Sequence, residues 1–340
     1  MRDVIDTRPL ARWLFAVAGL VGLMVVIGGL TRLTESGLSM VEWKPITGWL
    51  PPLSEAAWIA EFEKYKQFPE YQKINIGMTL EGFKEIFWLE YIHRLLGRVI
   101  GLAFALPLLW FWLRRKIPAG LHGHLIAMLL LGGSQGAMGW FMVKSGLVDH
   151  PDVSHYRLTA HLGLAFLIFA YLLWGALSLR RAPRMQSPAG AGIAILFVAL
   201  VFVQILSGGL VAGLNAGLAY NTWPLMDGQI IPDGLATVSP LWLNIFENAL
   251  TIQFQHRMIA YLVLLLALVV WLTQKGRVSN GGRHMVLATV VLQVALGIIT
   301  LLLHVPIIMG VLHQAGALLV FMGGIMLWHG MARRAAESAQ

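Results

Sequence analysis

The sequence predicts an all-α integral membrane protein whose eight transmembrane helices form two four-helix bundles related by internal duplication. Three observations lead to this fold class: the chain is strongly apolar, its apolar stretches are long and continuous, and its second half repeats its first. Of the 340 residues, 57% are hydrophobic and only 12% are charged, and the mean hydropathy is +0.70. A soluble domain carries about 25% charged residues, so this composition indicates a polytopic membrane protein.

Eight stretches are long enough to cross a bilayer, whose hydrocarbon core requires about 20 apolar residues of helix. They are residues 12–30, 92–113, 121–143, 158–178, 191–214, 257–273, 284–303 and 308–329. Membrane strands would alternate apolar and polar residues, and these runs do not. The first run is long enough to span and is followed by no small-x-small cleavage site, which favours a retained helix over a signal peptide.

The net charge of +8 is explained by basic residues that flank the membrane spans, so we predict no nucleic-acid partner. The basic residues flank the spans on one side of an eight-helix arrangement: Arg2, Arg8, Arg12, Arg114, Arg115, Lys116, Arg180, Arg181, Arg184, Lys275, Arg277, Arg283, Arg333 and Arg334. Because positive residues stay inside, both termini are predicted to be cytoplasmic. No Arg/Ser-rich transit segment precedes the first span, which favours the bacterial inner (plasma) membrane.

Internal duplication is indicated by matches at a constant offset of 180 residues. Gly28-Gly29-Leu30 recurs as Gly208-Gly209-Leu210, and Trp43 and Pro52 recur as Trp223 and Pro232. An even number of helices per repeat gives both copies the same orientation in the membrane. We therefore divide the chain into an N-terminal half, 1–180, and a C-terminal half, 191–340, joined by a short linker at 180–190. The long outer loop at 31–87 is charged and aromatic, which predicts an amphipathic surface helix.

Four of the 11 histidines occupy matching places in the two halves. His93 and His256, each followed by arginine, begin the second and sixth spans, and His161 and His313 begin the fourth and eighth. All four are expected within about two turns of the outer membrane face. Imidazole is a strong axial ligand of heme iron, and facing helices of a bundle can present two of them. This pattern predicts one heme between His93 and His161 and another between His256 and His313.

Two other interpretations of these histidines are less favoured. A lone membrane histidine more often makes hydrogen bonds between helices, but a repeated pair favours a repeated ligand set. Zinc or copper is less favoured, because the pairs lack carboxylate or sulfur companions at ligand spacing in both halves. The chain has no cysteine, which excludes thiolate ligands and disulfides. Histidines without a counterpart are interpreted as structural: His122, His124, His150, His155, His284, His304 and His329.

Charged residues near the paired histidines suggest further roles. Heme propionates need cationic partners, and the candidates are Arg94, Arg98, Arg157 and Arg257. Snorkelling of these side chains to the membrane interface explains the position of each arginine equally well.

Glu90 precedes His93 by three residues and so shares its helix face. The matching residue before His256 is Gln253, so only the first half has an acid beside the predicted iron. An acid in this setting is often functional, although a headgroup-facing glutamate is the alternative.

Several motifs resemble those of heme A synthases, in the mitochondrial and alphaproteobacterial branch of that family. They are Phe68-Pro-Glu-Tyr71, Met78-Thr-Leu-Glu-Gly-Phe-Lys84, Glu90-Tyr-Ile-His-Arg94, Gly37-Leu-Ser-Met40 and Asn221-Thr-Trp-Pro-Leu-Met226. The resemblance covers essentially the whole chain. One branch of the family carries a cysteine pair in its first outer loop, and this chain has none, which excludes a thiol-based step.

The resemblance implies a reaction and a division of labour. A methyl group of heme O would be oxidised to a formyl group, which gives heme A for cytochrome oxidase. His93 and His161 would hold the substrate heme, and Glu90 would be the catalytic residue that assists proton removal. His256 and His313 would hold a resident heme b cofactor that passes electrons. The expected partners are heme O, membrane lipid, heme O synthase, oxidase assembly factors and an electron donor of unknown identity. A homo-oligomer is left open.

Two other classes of protein share some of these features. A diheme b-type electron-transfer cytochrome would explain the histidines but not the single Glu90. A transporter built from parallel repeats would explain the duplication, but its broken helices should carry polar interruptions at mid-membrane. The polar residues of this chain cluster instead at the outer ends of the spans, where the heme sites are expected.

Overall fold

The structure is a computed structural model that describes residues 5–44, 47–147, 153–180, 191–275 and 279–337, without the side chains of 333–337. The described part is helical and contains no β-strand. Its α-helices are α1 (Arg8–Leu33), α2 (Glu55–Tyr65), α3 (Pro69–Lys73), α4 (Leu80–Leu113), α5 (His122–Gly146), α6 (His155–Arg180), α7 (Gly192–Gly213), α8 (Asn244–Glu247), α9 (Ala249–Thr273), α10 (Asn280–Leu302) and α11 (Ile307–Glu337). Residues 181–190 of the predicted linker and His150 lie outside the described residues.

Eight of these helices are long and apolar enough to cross a membrane, namely α1, α4, α5, α6, α7, α9, α10 and α11. They correspond one to one with the predicted spans, so the prediction of a multi-pass, all-helical membrane protein is confirmed. Large apolar side chains such as Leu106, Leu130 and Leu265 remain exposed on their outer faces. A soluble protein rarely leaves so much apolar surface uncovered, whereas lipid covers it in a bilayer.

Two helices begin well before the predicted spans. α4 begins at Leu80 rather than near 92, because Thr79 caps the amide of Gly82 and Phe83 and Phe87 are buried against the outer loop. α9 begins at Ala249 rather than near 257, because the Asn248 side chain caps two amides of its first turn. Counted from these starts, His93 is the fourteenth residue of α4 and His256 the eighth residue of α9. The prediction that these histidines begin their helices was therefore wrong.

The predicted amphipathic segment of the first outer loop is helical and folds onto α4. Trp58, Phe62 and Tyr65 on one face of α2 pack with Phe83 and Phe87 in a separate aromatic cluster. Phe62 and Phe83 stack with ring centroids 5.0 Å apart. Aromatic contacts of this kind contribute about 0.5–1.5 kcal/mol each beyond area burial. Protein thus covers the apolar face of α2, and this loop is fixed above the outer end of α4.

The helices pack as two sets of neighbours. α1 lies against α4 and α6, and α5 lies against α6; correspondingly, α7 lies against α9 and α11, and α10 lies against α11. The sets meet where α1 contacts α11 and where α6 contacts α7 and α11. One apolar core contains side chains from both sets, from Leu10 to Met331.

Local details repeat at the offset of 180 residues. α1 ends at Leu33 and α7 ends at Gly213. Two residues further on, Glu35 and Asn215 share the left-handed backbone value φ 51°, which is uncommon for residues other than glycine. A shared unusual conformation at matching positions supports the predicted duplication.

Candidate functional site

His93 and His161 line one cavity at the junction of the two halves. The cavity encloses about 1100 Å³ of empty space, including the part that is open to the outside. Its wall is largely apolar, and it also includes Gly209 and Ala212 of α7 and Gln314 of α11. The fold therefore brings the two histidines predicted for the first half to a common space.

Each of the four paired histidines packs against a glycine of a neighbouring helix. A Cβ atom added to the glycine would lie about 3 Å from the Cε1 atom of the imidazole: 3.1 Å for Gly28 and His93, 3.1 Å for Gly139 and His161, 3.3 Å for Gly208 and His256, and 2.8 Å for Gly297 and His313. The glycines thus leave the space that the imidazole rings occupy. This contact explains why glycine recurs at matching places in the sequence.

Three of these glycines follow a glutamine by one helical turn. The Nε2 atoms of Gln135, Gln204 and Gln293 donate to the backbone oxygens of His161, His256 and His313 at 3.1, 3.1 and 2.8 Å. The fourth glycine, Gly28, is preceded by Met24 instead of a glutamine, and Met24 lines the cavity. The His93 position therefore differs from the other three, because a thioether replaces the amide donor.

The second pair, His256 and His313, is enclosed by the C-terminal half. The Nδ1 atom of His256 is 3.3 Å from the Ser207 hydroxyl, whereas the Nδ1 atom of His313 is buried without a hydrogen-bond partner. The Nδ1 atom of His161 is in the same situation in the first half. A buried polar atom without a partner is costly unless something binds it.

Glu90 is buried, with 3% of its surface exposed, and its carboxylate faces the outer loop. Oε2 accepts hydrogen bonds from the Ser39 hydroxyl and the Met40 amide, each at 2.7 Å, and Oε1 accepts one from Arg94. Burial rules out the alternative of a glutamate that faces lipid headgroups. Among the described residues, those that line the cavity include His93 but not Glu90.

The arginine after each first histidine binds the loop in the same way in both halves. Arg94 donates to the backbone oxygens of Met40 and Glu42, at 2.7 and 2.9 Å. Arg257 donates to those of Tyr220 and Thr222, both at 2.9 Å, and these loop residues match Met40 and Glu42 at the offset of 180. In the second half Gln253 takes the place of Glu90 and donates to the same Tyr220 oxygen.

The other two predicted propionate partners also contact backbone oxygens. Arg98 donates to the backbone oxygen of Lys44 and lies over the Trp49 ring. Arg157 donates to the backbone oxygen of Phe141 and lies over the ring of the same residue.

Arg32, which is not among the predicted propionate partners, lines the cavity. It binds the Ala212 oxygen and the Asn215 side chain across the junction, at 2.9 and 3.1 Å. It lies two residues beyond the first predicted span, at a place where the second half has Ala212, and this difference was a signal that could have identified it.

Most of the histidines interpreted as structural contact another protein group. Three are hydrogen-bonded: His124 with the Tyr171 hydroxyl, His284 with the Asn280 backbone oxygen and His329 with the Ser178 hydroxyl. His155 lies beside the Glu247 carboxylate, and His122 contacts the Trp112 ring. The part of the chain that the structure describes holds no cluster of three or more metal-ligating side chains. Two imidazoles in the wall of one large cavity, as for His93 and His161, suit a planar, iron-centred macrocycle better than a bare ion.

The fold and site thus define a multi-pass helical membrane protein with a histidine-lined cavity between its two halves. Comparison with known sequences identifies the family: residues 11–323 match the family described as cytochrome oxidase assembly protein (COX15-CtaA), and the chain belongs to it.

Close relatives carry the name heme A synthase. The protein of that name from Nitrosospira multiformis is 50% identical over 337 residues, which cover 96% of this chain and 94% of the relative. Those from Parvibaculum lavamentivorans and Beijerinckia indica are 50% and 53% identical; the matches cover 95% and 92% of this chain and 93% and 90% of the relatives. The family recognised from the motifs is thereby confirmed.

Proposed function

We propose that this protein is a heme A synthase, an oxidoreductase that converts a methyl group of heme O into the formyl group of heme A for cytochrome oxidase. The observation that carries the proposal is the near-full-length identity of about 50% to proteins of that name. Expression in cells that make heme O but lack their own heme A synthase tests it. Mass analysis of the extracted pigments should then show heme A, and heme O alone would contradict the proposal.

The cavity is the proposed substrate site, and His93 and His161 are the proposed axial ligands of heme O. Both histidines line the cavity, and the largely apolar wall suits a porphyrin ring. Glu90 is proposed to assist proton removal. It is buried one turn before His93, and the other half has an amide at that place.

Heme b is the proposed resident cofactor, with His256 and His313 as its ligands. These residues fit the group: each imidazole occupies a space left by a glycine, and the buried Nδ1 of His313 has no protein partner. A bound heme b would supply one-electron transfer. Gln204 and Gln293 support the proposal, because each donates a hydrogen bond to the backbone oxygen of one proposed ligand and so fixes the helix segment that carries it.

The glycine beside His313 gives a test of this ligand set. Gly297→Ala would place a Cβ 2.8 Å from the imidazole Cε1, and relief of such overpacking costs about 1–3 kcal/mol. We expect the ring to move and the heme b content of the purified protein to fall severalfold, as measured by absorbance. Gly281→Ala on the same helix is the matched control, because nothing lies within 4 Å of its added Cβ. Equal heme content in both variants would contradict the assignment.

Arg32 is proposed to bind a propionate of the substrate, because it supplies a guanidinium to the cavity wall. A hydrogen bond to a charged group contributes about 1.5–3 kcal/mol. Arg32→Gln should therefore weaken heme O binding roughly 10- to 100-fold, as measured by titration of the purified protein. Arg12→Gln, at the opposite end of the same helix, should bind heme O like the unmodified protein. An unchanged affinity in Arg32→Gln would remove Arg32 from the site.

The proposed location is the bacterial inner membrane, with both termini cytoplasmic and the heme sites toward the outer face. The basic residues that flank the spans on one side support this orientation. The proposed partners are heme O synthase as the source of substrate, oxidase assembly factors as acceptors of product, and an electron donor. If the protein binds heme but makes no heme A, a diheme cytochrome is the better assignment. If it binds no heme, a transporter is the better assignment.

A further inference from the structure

Met24 distinguishes the first histidine of the proposed substrate site from the other three proposed ligands. At those three, the amide of a glutamine on a neighbouring helix donates to the backbone oxygen of the histidine: Gln135 to His161, Gln204 to His256 and Gln293 to His313. Met24 stands at the matching place on α1, one turn before Gly28. Its thioether has no hydrogen to donate, so the segment of α4 that carries His93 lacks this support.

Gly97 shows that the difference involves both helices. It lies one turn after His93 on α4, and a Cβ atom added to it would lie 3.4 Å from the methyl carbon of Met24. The residue one turn after each of the other three histidines is an alanine, namely Ala165, Ala260 and Ala317. Glycine loses more backbone entropy than alanine when a helix forms. The helix segment at His93 therefore lacks the glutamine and is also intrinsically less stable.

The contact that holds the His93 ring does not separate the two halves. The Thr31 hydroxyl is 3.4 Å from Nδ1 of His93, and the Ser207 hydroxyl is 3.3 Å from Nδ1 of His256. Because Thr31 donates its one hydrogen to the Ile27 backbone oxygen at 2.9 Å, it accepts from Nδ1 of His93, which leaves Nε2 for a ligand. Both rings have a hydroxyl partner, so the difference between them lies in the support of the backbone.

The two proposed heme sites have opposite requirements. A product must leave after each turnover, whereas a resident cofactor must stay bound. Residues that support a metal ligand from outside typically change metal affinity roughly 10- to 100-fold. The presence or absence of one glutamine is therefore enough to separate a site that exchanges its heme from a site that retains it. Met24 lines the cavity itself, so it lies where the substrate is proposed to bind.

We propose that Met24 is a positioning residue that makes His93 the exchangeable ligand of the substrate site. With a thioether in place of the amide and with Gly97 behind it, the His93 segment yields when product leaves. His161 and both ligands of the other half are held by their glutamines. This inference rests on the proposed function and assigns release to the side of the cavity that α4 forms.

Met24→Gln tests the proposal by supplying the amide that the other three sites have. The added amide should reach the His93 oxygen, because Gly28 and Gly139 contact their imidazoles at the same 3.1 Å. Purified protein is loaded with heme O and mixed with excess apomyoglobin, and mass analysis follows the heme O that stays bound. Release from Met24→Gln should be roughly tenfold slower than from the unmodified protein. Equal release from both proteins overturns the proposal.

Two substitutions serve as controls for this experiment. Met285→Gln makes the same change at an exposed position on α10, away from the cavity wall, and should release heme O like the unmodified protein. Met24→Leu removes the thioether without adding a donor. If Met24→Leu slows release as much as Met24→Gln does, the hydrogen bond is not the cause and the proposal fails.

The converse variant keeps the proposal testable if Met24→Gln does not accumulate. Gln204→Met removes the support from His256, so the proposed heme b should pass to apomyoglobin roughly tenfold faster. Unchanged transfer of heme b overturns the proposal. Release is measured with heme O and requires no conversion, so absence of heme A from cells that express the unmodified protein would instead contradict the proposed function.

Discussion

Protein purified with His256→Ala should lose the heme b that we propose as the resident cofactor, whereas protein with His93→Ala should keep most of that heme and make no heme A. The two histidines lie on α9 and α4, in different sets of packed helices, and each is seated against its own glycine. Loss of a residue that only supports a metal ligand typically lowers metal affinity roughly 10- to 100-fold. Loss of the ligand itself should lower the affinity by at least roughly 100-fold. Absorbance of the reduced protein measures the retained heme, and mass analysis of pigments measures conversion.

The control for both variants is His284→Ala. His284 is bonded to the backbone oxygen of Asn280 on its own helix and has no counterpart in the other half, so its removal should change neither heme content nor conversion. Equal loss of all heme from His93→Ala and His256→Ala would show that the halves do not bind separately. Retention of heme b in His256→Ala would exclude this histidine as its ligand.

Glu90→Gln should leave the fold and both proposed heme sites intact but reduce heme A formation roughly 100- to 10,000-fold, the usual effect of general-base assistance. The C-terminal half shows why the fold should survive. There Gln253 donates to the Tyr220 oxygen and accepts from Arg257, and a glutamine at 90 can make the matching contacts with Met40 and Arg94. The pigment should then remain heme O or a partly oxidised form.

Two further variants sharpen this result. Glu90→Asp should retain some activity, limited by the shorter side chain. Glu81→Gln, which replaces an exposed acid in the first turn of the same helix, should form heme A normally. Near-normal heme A formation in Glu90→Gln would contradict the catalytic assignment and reduce Glu90 to a residue that attaches the outer loop to α4.

The sequence alone predicted the eight spans, because a bilayer requires a minimum length of apolar helix, and each apolar segment shows this length by itself. Its motifs also predicted the family, and the recurrence of residues at a constant offset predicted the pairing of the histidines. It did not predict where α4 and α9 begin. Their first turns leave the apolar spans, and caps at Thr79 and Asn248 and aromatic packing under the outer loop decide those boundaries.

Only the tertiary structure decided what surrounds each histidine. The glycines at 28 and 208 were visible as a repeat, but the contact of each with an imidazole joins different helices and has no local signature. The same holds for the direction of the Glu90 carboxylate toward Ser39, and for the place of Arg32 in the wall of the cavity. Hydropathy and spacing report on one helix at a time, whereas a site is made where side chains far apart in sequence are packed into the same space.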